Sequence, residues 1–242
     1  PQNTPMADLV DLVAQNVKAV RQRITSACDR VGRDPSTVRL VGVSKTFPIK
    51  HVMAAVDAGV TDLGENRVQE AEEKIALATH LTGITWHLIG HLQSNKARRA
   101  ISTMTWIQSV DSLDLLHRLE RSAKEKGTSA QLLLQVDLAR EVTKHGASAD
   151  VIHQLLTAGA DCHALQIRGL MVLPPWSTDP EQSRPYFRQL RRLRDQLIDT
   201  GVDQTMLGEL SMGMSHDFDV AIEEGATMIR VGRAIFGQRS SN

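Results

Sequence analysis

Short apolar segments alternate with amphipathic helical segments along nearly the whole chain. The apolar segments are rich in β-branched residues and show no clear polar face, which is typical of strands that are covered on both sides of a sheet. A helical segment follows each of them, so the pattern predicts parallel strands joined by right-handed crossovers. The eight strand segments are 38–44, 61–65, 84–90, 104–110, 131–138, 165–173, 206–213 and 227–232.

Eight such units in 242 residues fit a closed (β/α)8 barrel, the TIM-barrel architecture of the α/β class. An open, doubly wound sheet is the structural alternative. An extra amphipathic helix over about 6–30 precedes the first unit, and no linker divides the chain. We therefore expect one domain over residues 1–242, with the barrel over about 38–237. The apolar stripe of the first helix comprises Leu9, Val13, Val17, Val20 and Ile24.

Charge and composition argue against several classes of function. The 28 Lys and Arg residues balance the 28 Asp and Glu residues, whereas nucleic-acid-binding proteins usually carry a basic excess. No apolar run approaches the roughly 18–20 residues that span a bilayer, and no secretory signal is evident. The two cysteines are too few for a disulfide framework, and no His or Cys cluster has zinc-site spacing. We expect a cytoplasmic monomer without nucleic-acid, membrane or metal partners.

The end of the first strand carries the clearest candidate for chemistry. Working groups of a (β/α)8 barrel lie at the carboxyl ends of the strands, and the first strand ends in Ser44-Lys45. Partial desolvation at the barrel mouth lowers a lysine pKa from its ordinary value of about 10.4. The neutral amine can then form a Schiff base with a carbonyl compound. A lysine that extends into solvent is the open alternative.

The ends of the last two strands indicate an anion site. The segment SMGMS (211–215) offers hydroxyl groups and a glycine, and Gly232-Arg233 begins a helix whose N–H groups face the mouth. Barrels of this type often bind phosphate with these loops. Turn glycines and a capping serine without a ligand are the alternative.

A Schiff-base lysine and a phosphate site together fit an aldehyde that carries a phosphate. Pyridoxal 5′-phosphate (PLP) meets both requirements. Arg230, on the last strand, is placed to approach the pyridine nitrogen, where a cation disfavours protonation. That effect weakens the electron sink on which most PLP chemistry depends. A salt bridge between Arg230 and a carboxylate is the alternative.

Seven segments together resemble the pyridoxal phosphate homeostasis protein family, the YggS-type PLP-binding proteins. The resemblance covers almost the whole barrel and implies a single barrel similar to the N-terminal domain of alanine racemase. The segments are VGVSKTFP (41–48), GENRVQEAEEK (64–74), WHLIGHLQSNK (86–96), IQSVDS (107–112), RGLM (168–171), LSMGMSHDF (210–218) and MIRVGRAIFG (228–237).

The resemblance also implies which residues hold the cofactor. It makes Lys45 the residue that forms an aldimine with PLP, and it places Arg230 close to the ring. The Gly232-Arg233 turn and Ser211 are implied at the phosphate. The complete set that we predict is Lys45, Asn66, Met171, Ser211, Met212, Arg230, Gly232 and Arg233.

The function implied by the resemblance is intracellular PLP homeostasis, that is, buffering or delivery of the cofactor without catalytic turnover. PLP-dependent apoenzymes are the implied recipients. The segment LAREVTKHG (138–146) matches the family's lysine-glycine stretch only loosely, so the resemblance gives Lys144 no role in that delivery.

Three alternatives remain open. A PLP-dependent racemase needs a second proton carrier, which is a tyrosine of a second domain in alanine racemases. Tyr186 lies away from the strand ends here, and His87 or His91 would have to substitute. A barrel enzyme acting on a phosphorylated sugar would share the lysine and the anion site. An interaction protein would keep the pocket unused, with GENRVQE and EAEEK as a solvated helix face.

Overall fold

A computed structural model describes residues 6–139 and 145–238 of the chain. Within these residues, eight parallel strands pair in sequence order, and the first strand also pairs with the last, which closes the barrel. The predicted (β/α)8 barrel is therefore confirmed, and the open sheet is wrong. The single domain over 1–242 extends beyond the described residues and stays a prediction.

The strands are short and almost entirely buried. Each predicted strand segment overlaps one of them, and seven contain it entirely; the fifth strand begins at Ala130, one residue before its predicted segment. The seventh is shorter than predicted, because Gln204–Met206 forms a 3-10 turn before it. The bounds are β1 Arg39–Val43, β2 Asp62–Glu65, β3 Thr85–Leu88, β4 Trp106–Val110, β5 Ala130–Val136, β6 Leu165–Val172, β7 Glu209–Ser211 and β8 Met228–Val231.

The helices form the outer layer, and serine caps begin two of them. Ser112 Oγ accepts a hydrogen bond from the Leu115 N–H, and Ser148 Oγ accepts one from the Val151 N–H. The bounds are α1 Met6–Arg30, α2 Ile49–Asp57, α3 Val68–Leu77, α4 Ala97–Thr103, α5 Leu113–Lys126, α6 Ala149–Ala160, α7 Arg184–Asp199, α8 Phe218–Glu223 and α9 Arg233–Phe236.

The first helix packs across the point where the barrel closes. Its predicted apolar stripe is buried, and α1 contacts α2, α8 and α9. Asn16 Nδ2 donates a 2.9 Å hydrogen bond to the Ile235 carbonyl, and Arg23 pairs with Asp219. Helix α1 therefore joins the beginning of the chain to its last two helices. None of the helices that the structure describes is long and apolar enough to cross a membrane.

The barrel interior contains its own small apolar cluster. Trp106, Leu133, Met171 and Met228 pack together, separately from the large core between strands and helices. Because residues along a barrel strand alternate between inside and outside, these side chains fill the interior. They support the floor on which the site described next is built.

Candidate functional site

A cavity of about 850 Å³ opens at the carboxyl end of the barrel, within the size range of small-molecule sites. Loops that follow seven of the eight strands contribute to its wall. Five of the predicted cofactor residues line it, namely Lys45, Asn66, Arg230, Gly232 and Arg233. The other three, Met171, Ser211 and Met212, are fully buried and are not among the lining residues. The barrel thus brings most of the predicted set to one place.

The backbone around Lys45 is held firmly on both sides. The Ser44 N–H donates to the Gly64 carbonyl, and Lys74 Nζ donates a 2.7 Å hydrogen bond to the Ser44 carbonyl. Thr46 has a φ of 68°, which is rare for a β-branched residue. Its N–H is bonded to Glu70 Oε1. Strained backbone of this kind is typical of functional sites, and here it fixes where the Lys45 side chain begins.

The side-chain hydrogen bonds that hold the backbone around Lys45 come from a buried cluster of charged residues. Glu65 is fully buried, and its Oε1 accepts hydrogen bonds from Ser44 Oγ at 2.5 Å and from Lys74 Nζ at 2.6 Å. Lys74 Nζ also lies 2.8 Å from Glu70 Oε1. Burial raises the pKa of Glu65, and Lys74 opposes that effect. The sequence left open that GENRVQE and EAEEK form only a solvated helix face. This alternative is wrong, because Lys74 at the end of that stretch is only 6% exposed.

Arg230 forms a buried cation at the floor of the cavity. Its Nη1 donates to Ser211 Oγ at 2.6 Å, and its Nη2 donates to the Val172 carbonyl at 2.9 Å. No carboxylate of the described residues forms an ion pair with it, so the predicted alternative of a salt bridge is wrong. Burial lowers the pKa of Arg230 to about 10, which leaves it positively charged at neutral pH.

A chain of hydrogen bonds runs from Arg230 through the barrel interior. Ser211 Oγ lies 2.6 Å from Gln108 Oε1, Gln108 Nε2 lies 3.0 Å from His87 Nδ1, and His87 Nε2 lies 2.8 Å from Asp62 Oδ1. A guanidinium only donates, so Ser211 accepts from Arg230 and donates to Gln108. The Gln108 amide nitrogen then donates to His87, whose proton must lie on Nε2.

This direction of donation keeps His87 neutral. A proton on Nδ1 would face the Gln108 amide hydrogens, and burial lowers the pKa of His87 although Asp62 opposes this. His87 therefore has a structural role, as a strand-borne histidine commonly does. It is fully buried and does not line the cavity, so it is not placed to substitute for a racemase tyrosine.

Stability is expected to depend on pH through His87. Unfolded His87 binds a proton below about pH 6.5, whereas the folded residue stays neutral to a lower pH. The free energy of unfolding should therefore fall as the pH decreases below about 6.5, by up to about 1.4 kcal/mol per pH unit for this group. Urea unfolding at several pH values tests this. His87→Gln, which removes the titrating group, should make the decline shallower; an unchanged slope would contradict the assignment.

The loops after β7 and β8 meet at one wall of the cavity. Gly213 has a φ of +95°, and a Cβ there would lie 2.6 Å from the Ala221 side chain. Ser215 Oγ accepts a hydrogen bond from the Ala234 N–H at 3.1 Å. The two loops predicted to form an anion site are therefore adjacent, but Ser215 rather than Ser211 lines the cavity.

Several residues of the site have no signal in the sequence alone. Gln108 and Asp62 belong to the buried chain of hydrogen bonds, and only the pairing of strands shows that they meet. Trp176 lines the cavity and is 73% exposed. An aromatic residue directly after Pro174-Pro175 is the one feature that could have indicated it. Lys144 lies outside the described residues.

Comparison with known proteins agrees with this architecture. The family described as "Alanine racemase, N-terminal domain" matches residues 13–240. The pyridoxal phosphate homeostasis protein of Aquifex aeolicus is 38% identical over 225 residues, which cover 93% of this chain and 97% of that relative.

Solved structures of similar proteins share this barrel fold. PipY of Synechococcus elongatus, solved with PLP bound, is 40% identical with a TM-score of 0.82, and the match covers 93% of this chain and 100% of that chain. An alanine racemase of Clostridium difficile is only 16% identical, with a TM-score of 0.73 over 96% of this chain and 61% of that one, which shows a shared fold. The chain therefore belongs to the pyridoxal phosphate homeostasis protein family, built on the fold of the alanine racemase N-terminal domain.

Proposed function

We propose that the chain binds PLP in the cavity at the barrel mouth, holds it covalently through Lys45 Nζ, and buffers or delivers it inside the cell. Membership of the family and the PLP-bound PipY structure support the cofactor. PLP-dependent apoenzymes are the recipients in this proposal, and the chain acts in the cytoplasm as a monomer.

The observation that carries the proposal is the pairing of Lys45 with Arg230 in one cavity. Arg230 is buried with two neutral acceptors and no carboxylate ion pair among the described residues, so a further acceptor from a ligand would offset part of the cost of burying its charge. The pyridine nitrogen of PLP has a lone pair that can accept from such a group. When bound, PLP supplies an aldehyde that the Lys45 amine can attack. The residues present therefore fit this cofactor.

We assign the other lining residues to different parts of the cofactor. The wall formed by Ser215, Gly232 and Arg233 offers a hydroxyl, backbone and a cation, and we assign the phosphate to it. Asn66, at the end of β2, can orient a polar substituent of the ring. Ser211 acts by holding Arg230 rather than by touching the phosphate.

Arg230 also explains why binding without turnover is expected. A cation beside the pyridine nitrogen keeps that nitrogen unprotonated and limits the withdrawal of electrons into the ring. Tyr186, the one tyrosine of the sequence, lies on α7 and not at the cavity. The tyrosine base of alanine racemases therefore has no counterpart among the described residues that line the cavity.

Transfer to an apoenzyme tests the proposed function. The PLP-loaded chain, freed of unbound PLP by gel filtration, is mixed with a PLP-dependent apoenzyme, and recovery of that enzyme's activity is followed. We expect the apoenzyme to recover its activity. A PLP-trapping protein in the buffer captures only released PLP, so it should slow the recovery only partly if transfer is direct. Complete failure to reactivate the apoenzyme would contradict delivery.

A deuterium-exchange experiment separates this function from racemisation. The PLP-loaded chain is incubated with L-amino acids in D2O, and exchange at Cα is followed by NMR. The proposal predicts no exchange above that of free PLP. Exchange that His91→Ala abolishes would instead assign a racemase, because His91 lines the cavity.

Arg230→Gln is expected to weaken PLP binding by about 10- to 100-fold. Hydrogen bonds from charged groups contribute about 1.5–3 kcal/mol, and glutamine removes the charge while it keeps a polar amide. Equilibrium titration with PLP, followed through the fluorescence of exposed Trp176, measures the loss. Arg230→Lys, which keeps a positive charge, should lose less. Equal affinity of Arg230→Gln and the unaltered chain would contradict the role of Arg230.

A further inference from the structure

Three side chains with metal-binding atoms converge at the cavity rim, away from the Gly232-Arg233 wall. His91, Asp111 and His145 follow β3, β4 and β5, and their ligand atoms all lie within 4.8 Å of one another. They come from three loops, which is why no spacing in the sequence indicated them. We propose that His91, Asp111 and His145 bind a divalent transition-metal ion of the Zn²⁺ class.

The donor set has the chemistry that such an ion requires. Imidazole nitrogens suit Zn²⁺ and its neighbours in the first transition row, and a carboxylate supplies a third ligand with negative charge. Two imidazoles and one carboxylate leave one position of a tetrahedral site open.

Backbone contacts hold the segments that carry these three residues at the cavity rim. Gly90 packs on the Asn66 backbone, where a Cβ would lie 2.2 Å from the Asn66 carbonyl oxygen, and Ser109 Oγ donates to the Gly90 carbonyl at 2.7 Å. These contacts fix the chain directly before His91. Asp111 follows β4 and precedes the Ser112 cap of α5.

His145 is held by the barrel as well. Gln135 Nε2 donates to the His145 carbonyl at 3.1 Å, and Val136 forms an isolated parallel bridge with Ala147. Gly146, with a φ of +138°, allows the backbone to approach Asp137 closely, because a Cβ there would lie 2.7 Å from the Asp137 nitrogen. The backbone of His145 therefore has a defined place beside β5.

The side chains need only a small movement to coordinate an ion. The His91 and His145 rings are stacked, with centroids 3.6 Å apart and planes 7° apart, and Asp111 Oδ2 lies 4.0 Å from His91 Nδ1. Ligand atoms about 2.1 Å from a tetrahedral ion are roughly 3.4 Å apart, so none of the present separations has to close by more than about 1.4 Å. Rotation of the two exposed imidazoles out of the stack achieves this.

The proposed metal site lies at the edge of the cofactor cavity. His91 and His145 both line that cavity, so the open coordination position is accessible to water or to an anionic oxygen of a bound ligand. The site does not include Lys45, so ion binding can be tested on the chain free of PLP.

The test is a titration of the tag-free chain, stripped with a chelator and free of PLP, with Co²⁺ and Zn²⁺. Calorimetry and the visible d–d absorption of Co²⁺ report binding. We expect one tight ion per chain with a tetrahedral Co²⁺ spectrum. His91→Ala and Asp111→Asn should weaken it by more than the roughly tenfold that loss of an outer-shell group costs in metal sites.

Two controls separate coordination from other effects. His145→Phe keeps an aromatic ring for stacking but removes the ligand, so it should lose the ion as well, whereas His153→Ala, on the exposed face of α6, should bind normally. Lys45→Ala should also bind normally, which distinguishes failure of this proposal from failure of PLP binding. Binding of Co²⁺ by His145→Phe as by the unaltered chain, or no binding by the unaltered chain, would overturn the proposal.

Discussion

Lys45→Ala is expected to abolish covalent retention of PLP and to leave a weaker, fully reversible binding. Lys45 is the only lysine among the described residues that line the cavity, so that part of the chain offers no second amine there. Arg230 and the wall around Gly232 remain in the variant and still attract the ring and the phosphate. Intact mass after borohydride reduction measures the effect: the unaltered chain gains one pyridoxyl group that still carries its phosphate, and Lys45→Ala gains none.

The matched control is Lys50→Ala. Lys50 follows closely in sequence but belongs to α2 and does not line the cavity. This variant should be labelled as completely as the unaltered chain. Labelling of Lys45→Ala at the same level would show that another amine anchors the cofactor.

Lys74→Met is expected to reduce the free energy of unfolding by about 3–5 kcal/mol, the usual effect of removing one partner from a buried ion pair. Glu65 would keep a buried carboxylate with only Ser44 Oγ as its hydrogen-bond donor, and its second oxygen already has no partner in the described structure. The hydrogen bond from Lys74 to the Ser44 carbonyl would be lost too. PLP attachment should therefore weaken along with stability, because this carbonyl precedes Lys45.

Urea unfolding followed by circular dichroism measures the loss. Lys74→Met combined with Glu65→Leu removes both charges and should recover much of the stability. Arg118→Met breaks an exposed pair with Asp114 and should change the free energy of unfolding by no more than about 1 kcal/mol. A similarly small effect of Lys74→Met would contradict the role of the cluster.

The fold could be predicted because its signal is local. Each strand of the barrel is a short segment covered on both faces, and each connection carries a helical pattern, so alternation alone indicated parallel pairing. The shortness of β7 could not be predicted from the apolar pattern, because a 3-10 turn capped by Asp203 precedes the strand. The left-handed conformation of Gly213 after the strand depends on close contacts with α8.

The site could be predicted only in part, for reasons of geometry. Lys45 and Gly232 follow strand ends, and their positions at the mouth come from topology alone. Ser211 and Ser215 lie four residues apart, and sequence does not show that the first is covered inside the barrel while the second reaches the cavity. The resemblance named a segment that lies at the cavity wall, but not which of its hydroxyl groups reaches the cavity.

The buried chain of hydrogen bonds from Asp62 to Arg230 could not be predicted from the sequence either. Its members come from β2, β3, β4, β7 and β8, so no spacing in the sequence links them. Only the closed barrel brings them within hydrogen-bond distance, where they fix the orientation of one buried cation.

The central claim is that PLP is attached at Lys45 in the barrel mouth. The most direct test is borohydride reduction of the PLP-loaded, unaltered chain, followed by peptide mass mapping. We expect one pyridoxyl group, on the peptide that contains Lys45. A pyridoxyl group on a different lysine, or no adduct after incubation with PLP, would contradict the claim.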